Sequence, residues 1–217
     1  MRRRIAAAAD AAGRKPEEVQ LLAVSKTVPV EALRAALDAG QDCFGESYLS
    51  EALDKIAALE RRGCAWHFIG PVQSNKTRRI AEHFDWVHSV DRLKIAERLS
   101  AQRPDRLPPL NVCLEVNISG EASKAGLRPA DVRETAEAVV RLPRLRLRGL
   151  MAIPAPSRDP ARQRAAFAEL RRIFDSLNDR GLGLDTLSMG MSDDLEAAIA
   201  EGATIVRVGT AIFGARR

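Results

Sequence analysis

Short apolar runs alternate with amphipathic segments along the whole chain. The short runs are rich in β-branched and aromatic residues, which is typical of buried strands. The segments between them repeat apolar residues at spacings of three and four, which predicts helices. The strands predicted in this way are Leu21–Lys26, Cys43–Glu46, Trp66–Ile69, Trp86–Ser89, Val112–Val116, Leu147–Met151, Thr186–Met189 and Thr204–Val208.

The predicted helices connect these strands, and one further helix precedes the first strand. They are Arg3–Ala12, Pro29–Ala39, Leu49–Arg62, Lys76–His83, Arg92–Ala101, Pro129–Arg141, Ala161–Asp179 and Asp193–Glu201. Alternating strands and helices form parallel sheets, and eight such units in about 200 residues are near the lower size limit of a closed barrel. The prediction is an α/β fold: a single (β/α)8 TIM barrel with an extra N-terminal helix, with residues 1–217 as one domain. An open doubly wound sheet is the alternative, but no G-x-G-x-x-G turn follows the first strand.

Composition places the chain among globular proteins. Hydrophobic residues make up 46% and charged residues 29% of the sequence, so a packed core is expected. No apolar stretch has the length of a membrane span or of a secretory signal, and a cytoplasmic protein is expected. Cys43, Cys64 and Cys113 show no C-x-x-C pairing, so we expect buried thiols rather than disulfides or a zinc site.

A net charge of +5 raises the question of an anionic partner. The basic residues are spread among helices that also carry acids, and aromatic residues, which stack on bases, make up only 4% of the chain. Nucleic-acid binding is therefore not expected. His67, His83 and His88 show no spacing typical of metal ligands, and no metal is assigned.

Lys26 stands out because it ends the apolar run Leu21–Val24. Functional groups of such barrels gather at the carboxyl ends of the strands, so this lysine is expected at the barrel mouth. Low-dielectric surroundings would lower its pKa and free the amine to form an imine with an aldehyde. The alternative is that Lys26 pairs with a carboxylate such as Glu46 or Glu115 at the rim.

Two turns after the last two predicted strands could bind an anion. Ser188–Asp194 breaks at Gly190, and its backbone N–H groups and Ser192 hydroxyl are suitable phosphate ligands; Gly209 and Thr210 follow the last strand. Plain helix capping is the alternative, with Asp193 as N-cap and Glu196 completing a capping box.

Arg207 alternates with apolar neighbours near the end of the last predicted strand. This alternation places the side chain either inside the barrel or against a helix, where a buried guanidinium needs a partner. A salt bridge at the rim is the alternative.

These motifs together resemble the pyridoxal phosphate homeostasis protein family, and the resemblance covers nearly the whole chain. The matching segments are AVSKT at 23–27, FGE at 44–46, WHFIGPVQSNK at 66–76, HSVD at 88–91, VNIS at 116–119, LM at 150–151, LSMGMSDD at 187–194 and RVGTAIFG at 207–214. Family members usually carry Asn after the FGE segment, where this chain has Ser47. The family resembles the N-terminal barrel domain of alanine racemase.

The resemblance implies that pyridoxal 5′-phosphate is bound as a Schiff base on Lys26. It makes Ser192, Gly209 and Thr210 the phosphate ligands and Arg207 the partner of the pyridine nitrogen. It also implies a monomeric carrier or regulator of the cofactor in vitamin B6 homeostasis, with no catalytic residue and no established catalysis.

Two enzymes remain as alternatives at this point. A pyridoxal-phosphate-dependent amino-acid racemase of the alanine racemase fold would need a second base, for which the barrel leaves no evident source. A cofactor-free aldolase would use the same lysine and phosphate site, and would be colourless as purified.

Overall fold

The computed structural model describes residues 1–60, 63–121 and 124–214. Over these residues, parallel strands close into a barrel in which each strand pairs with the next and β8 pairs with β1. The predicted closed barrel is confirmed. The strands are β1 (Gln20–Val24), β2 (Cys43–Glu46), β3 (Ala65–Phe68), β4 (Trp86–Val90), β5 (Leu110–Glu115), β6 (Leu145–Met151), β7 (Thr186–Ser188) and β8 (Ile205–Val208).

Helices surround this barrel, and one of them lies before the first strand as predicted. They are α1 (Arg2–Ala11), α2 (Val30–Asp38), α3 (Leu49–Ala58), α4 (Thr77–His83), α5 (Leu93–Gln102), α6 (Val132–Val139), α7 (Pro160–Asn178), α8 (Leu195–Ala200) and α9 (Thr210–Phe213). Short 3-10 helices lie at Pro16–Glu18 and Pro129–Asp131, so the predicted helix 129–141 begins with a 3-10 turn. Arg62, the predicted end of the third helix, lies outside the described residues. None of the described helices is both long and apolar enough to span a membrane.

Strand alternation divides the side chains between two layers. Leu22 packs with Cys43 and Ile205 inside the barrel. Phe44 and Trp66 belong to the large cluster between the strands and the helices. Because paired residues of parallel strands point to the same side, strand register assigns other residues to one of these layers.

The three cysteines are buried, and none forms a disulfide. Burial raises the pKa of Cys43 and Cys113 to about 12. The expectation of buried thiols is therefore confirmed, and these two thiols are inert at neutral pH.

Candidate functional site

Register brings the predicted site residues to one edge of the barrel. Leu22 of β1 pairs with Arg207 of β8, and Ala23 pairs with Val208. The segments that follow, Lys26 after β1 and Gly209 after β8, therefore leave the barrel side by side at its carboxyl edge.

Lys26 lies two residues beyond β1 rather than at the end of the strand. The pairing with β2 continues to Ser25, whose N–H donates to the Gly45 carbonyl oxygen at 2.9 Å. The Val28 N–H then donates back to the Ser25 carbonyl at 3.0 Å and closes a tight turn. Lys26 shares the parity of Leu22 and is half-buried, so alternation assigns it to the interior side of the mouth.

Arg207 is buried inside the barrel with 4% of its surface exposed. Its Nη1 donates to the carbonyl oxygen and the Oγ of Ser188 at 2.6 and 2.7 Å, and its Nη2 donates to the Ala152 carbonyl at 3.0 Å. The remaining N–H groups, including Nε–H, have no acceptor among the described residues. The structure therefore holds the guanidinium in place and leaves donors available on it.

Charges near Arg207 offset part of the cost of burying it. Burial lowers the pKa of the guanidinium to about 10, and Asp194 and Glu115 oppose this shift. Burial raises the pKa of both of these carboxyls. Arg207 remains a cation at neutral pH.

A hydrogen-bonded chain crosses the barrel from Arg207. Ser188 Oγ lies 2.7 Å from Nδ1 of His88, and Nε2 of His88 lies 2.9 Å from Nδ1 of His67. The ring of His67 stacks on Trp86 with centroids 5.3 Å apart. Since arginine only donates, the Ser188 hydroxyl accepts from Arg207 and can donate its own hydrogen bond to Nδ1 of His88. The chain thus fixes the Ser188 side chain that holds Arg207.

The turn after β7 is built around Gly190. Gly190 has φ +91°, and a Cβ there would lie 2.5 Å from the Ala198 Cβ, so only glycine fits. The Arg207 N–H donates to the Gly190 carbonyl at 2.9 Å, which ties this turn to β8. Ser192 follows Gly190 by two residues, and Gly209 follows Arg207 by two residues.

The capping alternative for this turn is wrong in its details. Helix α8 begins at Leu195 with Asp194, not Asp193, as its N-cap, and no side-chain cap bond forms. Instead, Oδ1 of Asp194 accepts the Met191 N–H at 2.6 Å and closes the turn. The hydroxyls of Ser192 and Thr210 have no hydrogen-bond partner among the residues described here. Both hydroxyls are therefore available to a ligand.

A cavity opens beside this turn at the carboxyl edge. Its volume is about 970 Å³, and Met191, Asp193 and Asp194 form one wall of it. The opposite wall comes from the segment after β6, including Ile153 and Pro154. The cavity is large enough for a small molecule, but none of the five predicted cofactor-binding residues is among the residues that line it.

A charged cluster that the sequence pattern does not indicate lies behind β1. Glu46 is fully buried, and its Oε1 accepts from Ser25 Oγ at 2.6 Å and from Lys55 Nζ at 2.8 Å. Burial raises the pKa of Glu46, opposed by the hydrogen bonds from Lys55 and Ser25. Glu51 and Lys55 stand four residues apart on α3, the only sequence signal of this cluster. Within the described residues no group of His, Cys, Asp and Glu could hold a metal ion.

The buried histidines make stability depend on pH. Burial lowers the pKa of His67 to about 3 and that of His88 well below its usual value. An unfolded histidine takes up a proton near pH 6.5, so the free energy of unfolding should fall as the pH drops below about 6.5. Each histidine should lower it by up to about 1.4 kcal/mol per pH unit. Urea unfolding at pH 7 and pH 5 measures this loss.

The raised pKa values of Glu46 and Glu115 have the opposite effect on stability. These carboxyls bind protons more readily in the folded than in the unfolded protein, so they raise the free energy of unfolding as the pH falls. A His67→Gln variant separates the two effects, since it removes one histidine and leaves both carboxyls. We expect the variant to lose less stability than the wild type between pH 7 and pH 5. An equal or larger loss of stability in the variant would contradict the conclusion that the buried His67 ring causes part of the pH dependence.

Comparison with known proteins gives consistent matches over the whole chain. Residues 1–217 match the family model for the N-terminal domain of alanine racemase. The pyridoxal phosphate homeostasis protein of Pseudomonas aeruginosa is 68% identical over 213 residues, which cover 98% of this chain and 91% of the relative. The protein of that name from Escherichia coli K12 is 57% identical over 219 residues and covers 100% of this chain and 94% of the relative.

Solved structures agree with these matches. PipY of Synechococcus elongatus, solved with pyridoxal phosphate (PLP) bound, has a TM-score of 0.84 and 41% identity, covering 97% of this chain and all of that chain. Alanine racemase from Corynebacterium glutamicum has a TM-score of 0.73 at 16% identity; the match covers 99% of this chain and 60% of that enzyme, and it shows the fold alone. The chain therefore belongs to the pyridoxal phosphate homeostasis protein family, whose barrel is that of the alanine racemase N-terminal domain.

Proposed function

We propose that this protein binds PLP at the carboxyl edge of its barrel and acts in PLP homeostasis. Relatives that share more than half of its residues carry that name, and a similar structure was solved with PLP bound. The protein's own residues fit the cofactor: the mouth offers donors for an anion, a donor for a ring nitrogen and a lysine.

The observation that carries this proposal is the state of Arg207. A buried guanidinium that is fixed by Ser188 and Ala152, yet keeps free N–H donors, is prepared for an acceptor in the barrel mouth. The pyridine nitrogen of PLP is an acceptor of this kind. A guanidinium beside that nitrogen also keeps it unprotonated.

The phosphate of PLP would be bound by the two turns that follow β7 and β8. Ser192 and Thr210 contribute hydroxyls that the described residues leave free, and Gly209 contributes its backbone N–H. Hydroxyl and backbone N–H donors are common ligands of phosphate. The Gly190 carbonyl, held by the Arg207 N–H at 2.9 Å, keeps the two turns together.

Lys26 would attach the cofactor covalently. When bound, PLP would supply an aldehyde whose carbon forms a C=N bond to a lysine amine, while the aldehyde oxygen leaves as water with the two amine protons. Lys26 lies at the same edge as the phosphate turns and on the interior side of β1. Lys55, by contrast, approaches β1 from α3 and donates to Glu46 and to the Ser25 carbonyl.

We further propose that the protein is a carrier or regulator without an enzymatic activity of its own. An unprotonated ring nitrogen is a weaker electron sink, so the Arg207 contact would disfavour reactions that need extended carbanion stabilisation, such as transamination. The buried thiols, none of which forms a disulfide, support a reducing, cytoplasmic location. A closed barrel offers no open sheet edge over the described residues, which supports a monomer.

A titration of the purified protein with PLP tests this function. We expect a visible absorption band that saturates at one PLP per chain, and a band already present in the purified protein would exclude the colourless aldolase. The loaded protein should racemise alanine and other common amino acids at well below the enzyme median of about 10 per second. The absence of a spectral change on titration would contradict attachment of PLP to a lysine, and turnover near that median would support the racemase alternative.

A further inference from the structure

The charged cluster behind β1 is more than a packing feature. Glu46 is fully buried and the Lys55 side chain is only 6% exposed, in a layer that is mostly apolar. Glu51 completes the cluster through its hydrogen bond from Lys55 and is 28% exposed. Buried ion pairs stabilise a fold less well than apolar contacts of the same size, so stability alone does not account for this cluster.

The cluster holds the backbone on both sides of Lys26. On the near side, Lys55 Nζ donates to the Ser25 carbonyl at 2.6 Å, and Ser25 Oγ donates to Glu46 at 2.6 Å. On the far side, the Thr27 N–H donates to Oε1 of Glu51. Both peptide units that flank Lys26 are therefore tied to α3.

The turn held in this way is strained. Thr27 has φ +61°, a conformation that β-branched residues rarely adopt and that tight turns usually assign to glycine or asparagine. Such strain persists only where surrounding contacts impose it, and it is found most often at functional sites. The Glu51 contact to the Thr27 N–H is a contact of this kind.

We propose that Glu46, Glu51 and Lys55 are positioning residues for Lys26. They act from the outer side of β1 and keep the Ser25–Val28 turn in its strained form, so that the Lys26 amine faces the phosphate turns across the mouth. The inference rests on the proposed attachment of PLP to Lys26. It predicts that loosening the turn slows attachment of the aldehyde without weakening the contacts to phosphate and ring nitrogen.

Glu51→Ala tests the inference because Glu51 is partly exposed and its loss leaves the buried Glu46–Lys55 pair intact. Two ligands separate the effects: PLP, whose attachment rate is followed by its visible band, and pyridoxine 5′-phosphate, which has an alcohol in place of the aldehyde and cannot attach. We expect attachment of PLP to slow about tenfold, since small misplacements of a reacting group carry large costs. Affinity for pyridoxine 5′-phosphate should change by less than about twofold.

Matched variants and a cofactor-free measurement complete the test. Glu51→Gln keeps an acceptor for the Thr27 N–H and should restore the rate, whereas Asp54→Ala, an exposed acid on the same helix, should leave it unchanged. In the protein without cofactor, hydrogen exchange of the 25–28 segment should be about tenfold faster in Glu51→Ala than in wild type.

The results distinguish the positioning role of the cluster from the proposed attachment of PLP to Lys26. An unchanged attachment rate in Glu51→Ala overturns the inference, as does an equal loss for both ligands or an equal effect of Asp54→Ala. A wild-type protein that binds pyridoxine 5′-phosphate but never attaches PLP overturns the proposed function instead. In that case the exchange measurement still reports whether the cluster restrains the turn.

Discussion

Replacing Lys55 with Met is expected to lower the free energy of unfolding by about 3–5 kcal/mol, because it leaves Glu46 without its cationic partner in a layer closed to water. Methionine fills a similar volume, so the loss reflects charge rather than a cavity. Urea unfolding followed by circular dichroism gives the free energy by linear extrapolation.

Two further variants test this explanation for Lys55. The double variant Glu46→Gln/Lys55→Met removes both buried charges and should recover most of the lost stability. Lys94→Met changes an exposed lysine on α5 and should alter stability by less than about 0.5 kcal/mol. The explanation would be wrong if Lys55→Met were as stable as Lys94→Met.

Replacing Arg207 with Met is expected to reduce the affinity for PLP by about 10- to 100-fold, which corresponds to the loss of one hydrogen bond from a charged donor. The same change leaves the Ser188 and Ala152 carbonyls without their donor, so the variant should also be less stable. Affinity is measured by spectral titration at a temperature where circular dichroism shows the variant to be folded.

Arg148→Met is the matched control for Arg207. Arg148 lies at the amino end of the barrel, where its guanidinium carbon is 4.7 Å from the Trp86 ring centroid and Nη2 is 2.7 Å from Asp185. Removing it deletes the same charge far from the mouth, so affinity for PLP should stay within about twofold of wild type. A comparable loss of affinity in both variants would show that net charge, rather than the Arg207 contact, binds the cofactor.

The fold could be predicted because apolar residues repeat with a different spacing in each strand than in each helix. Strand β1 is shorter than predicted, because the chain turns at Thr27. Thr27 has a positive φ, which the presence of a threonine does not predict. That turn is held from α3 by Glu51, which is 24 residues from Thr27 along the chain. A local pattern does not contain such information.

The site could be predicted only in part for the same reason. Arg207 is recognisable from its place among apolar neighbours, but its orientation depends on Ser188 and on His88, which is 100 residues from Ser188. Lys55 resembles an ordinary surface residue paired with Glu51 along a helix. Lys55 is buried because it pairs with Glu46. The burial of Glu46 depends on how β2 packs on α3, which the local sequence does not show.

Chemical trapping tests most directly whether Lys26 attaches PLP. The wild-type protein is loaded with PLP, reduced with borohydride, digested and analysed by mass spectrometry for the pyridoxyl group. We predict that the label is found on the peptide containing Lys26, and that Lys26→Ala lowers affinity for PLP while pyridoxine 5′-phosphate still binds through Ser192, Gly209 and Thr210. A label on Lys55, Lys76 or Lys124 instead of Lys26 in the wild type would contradict the claim.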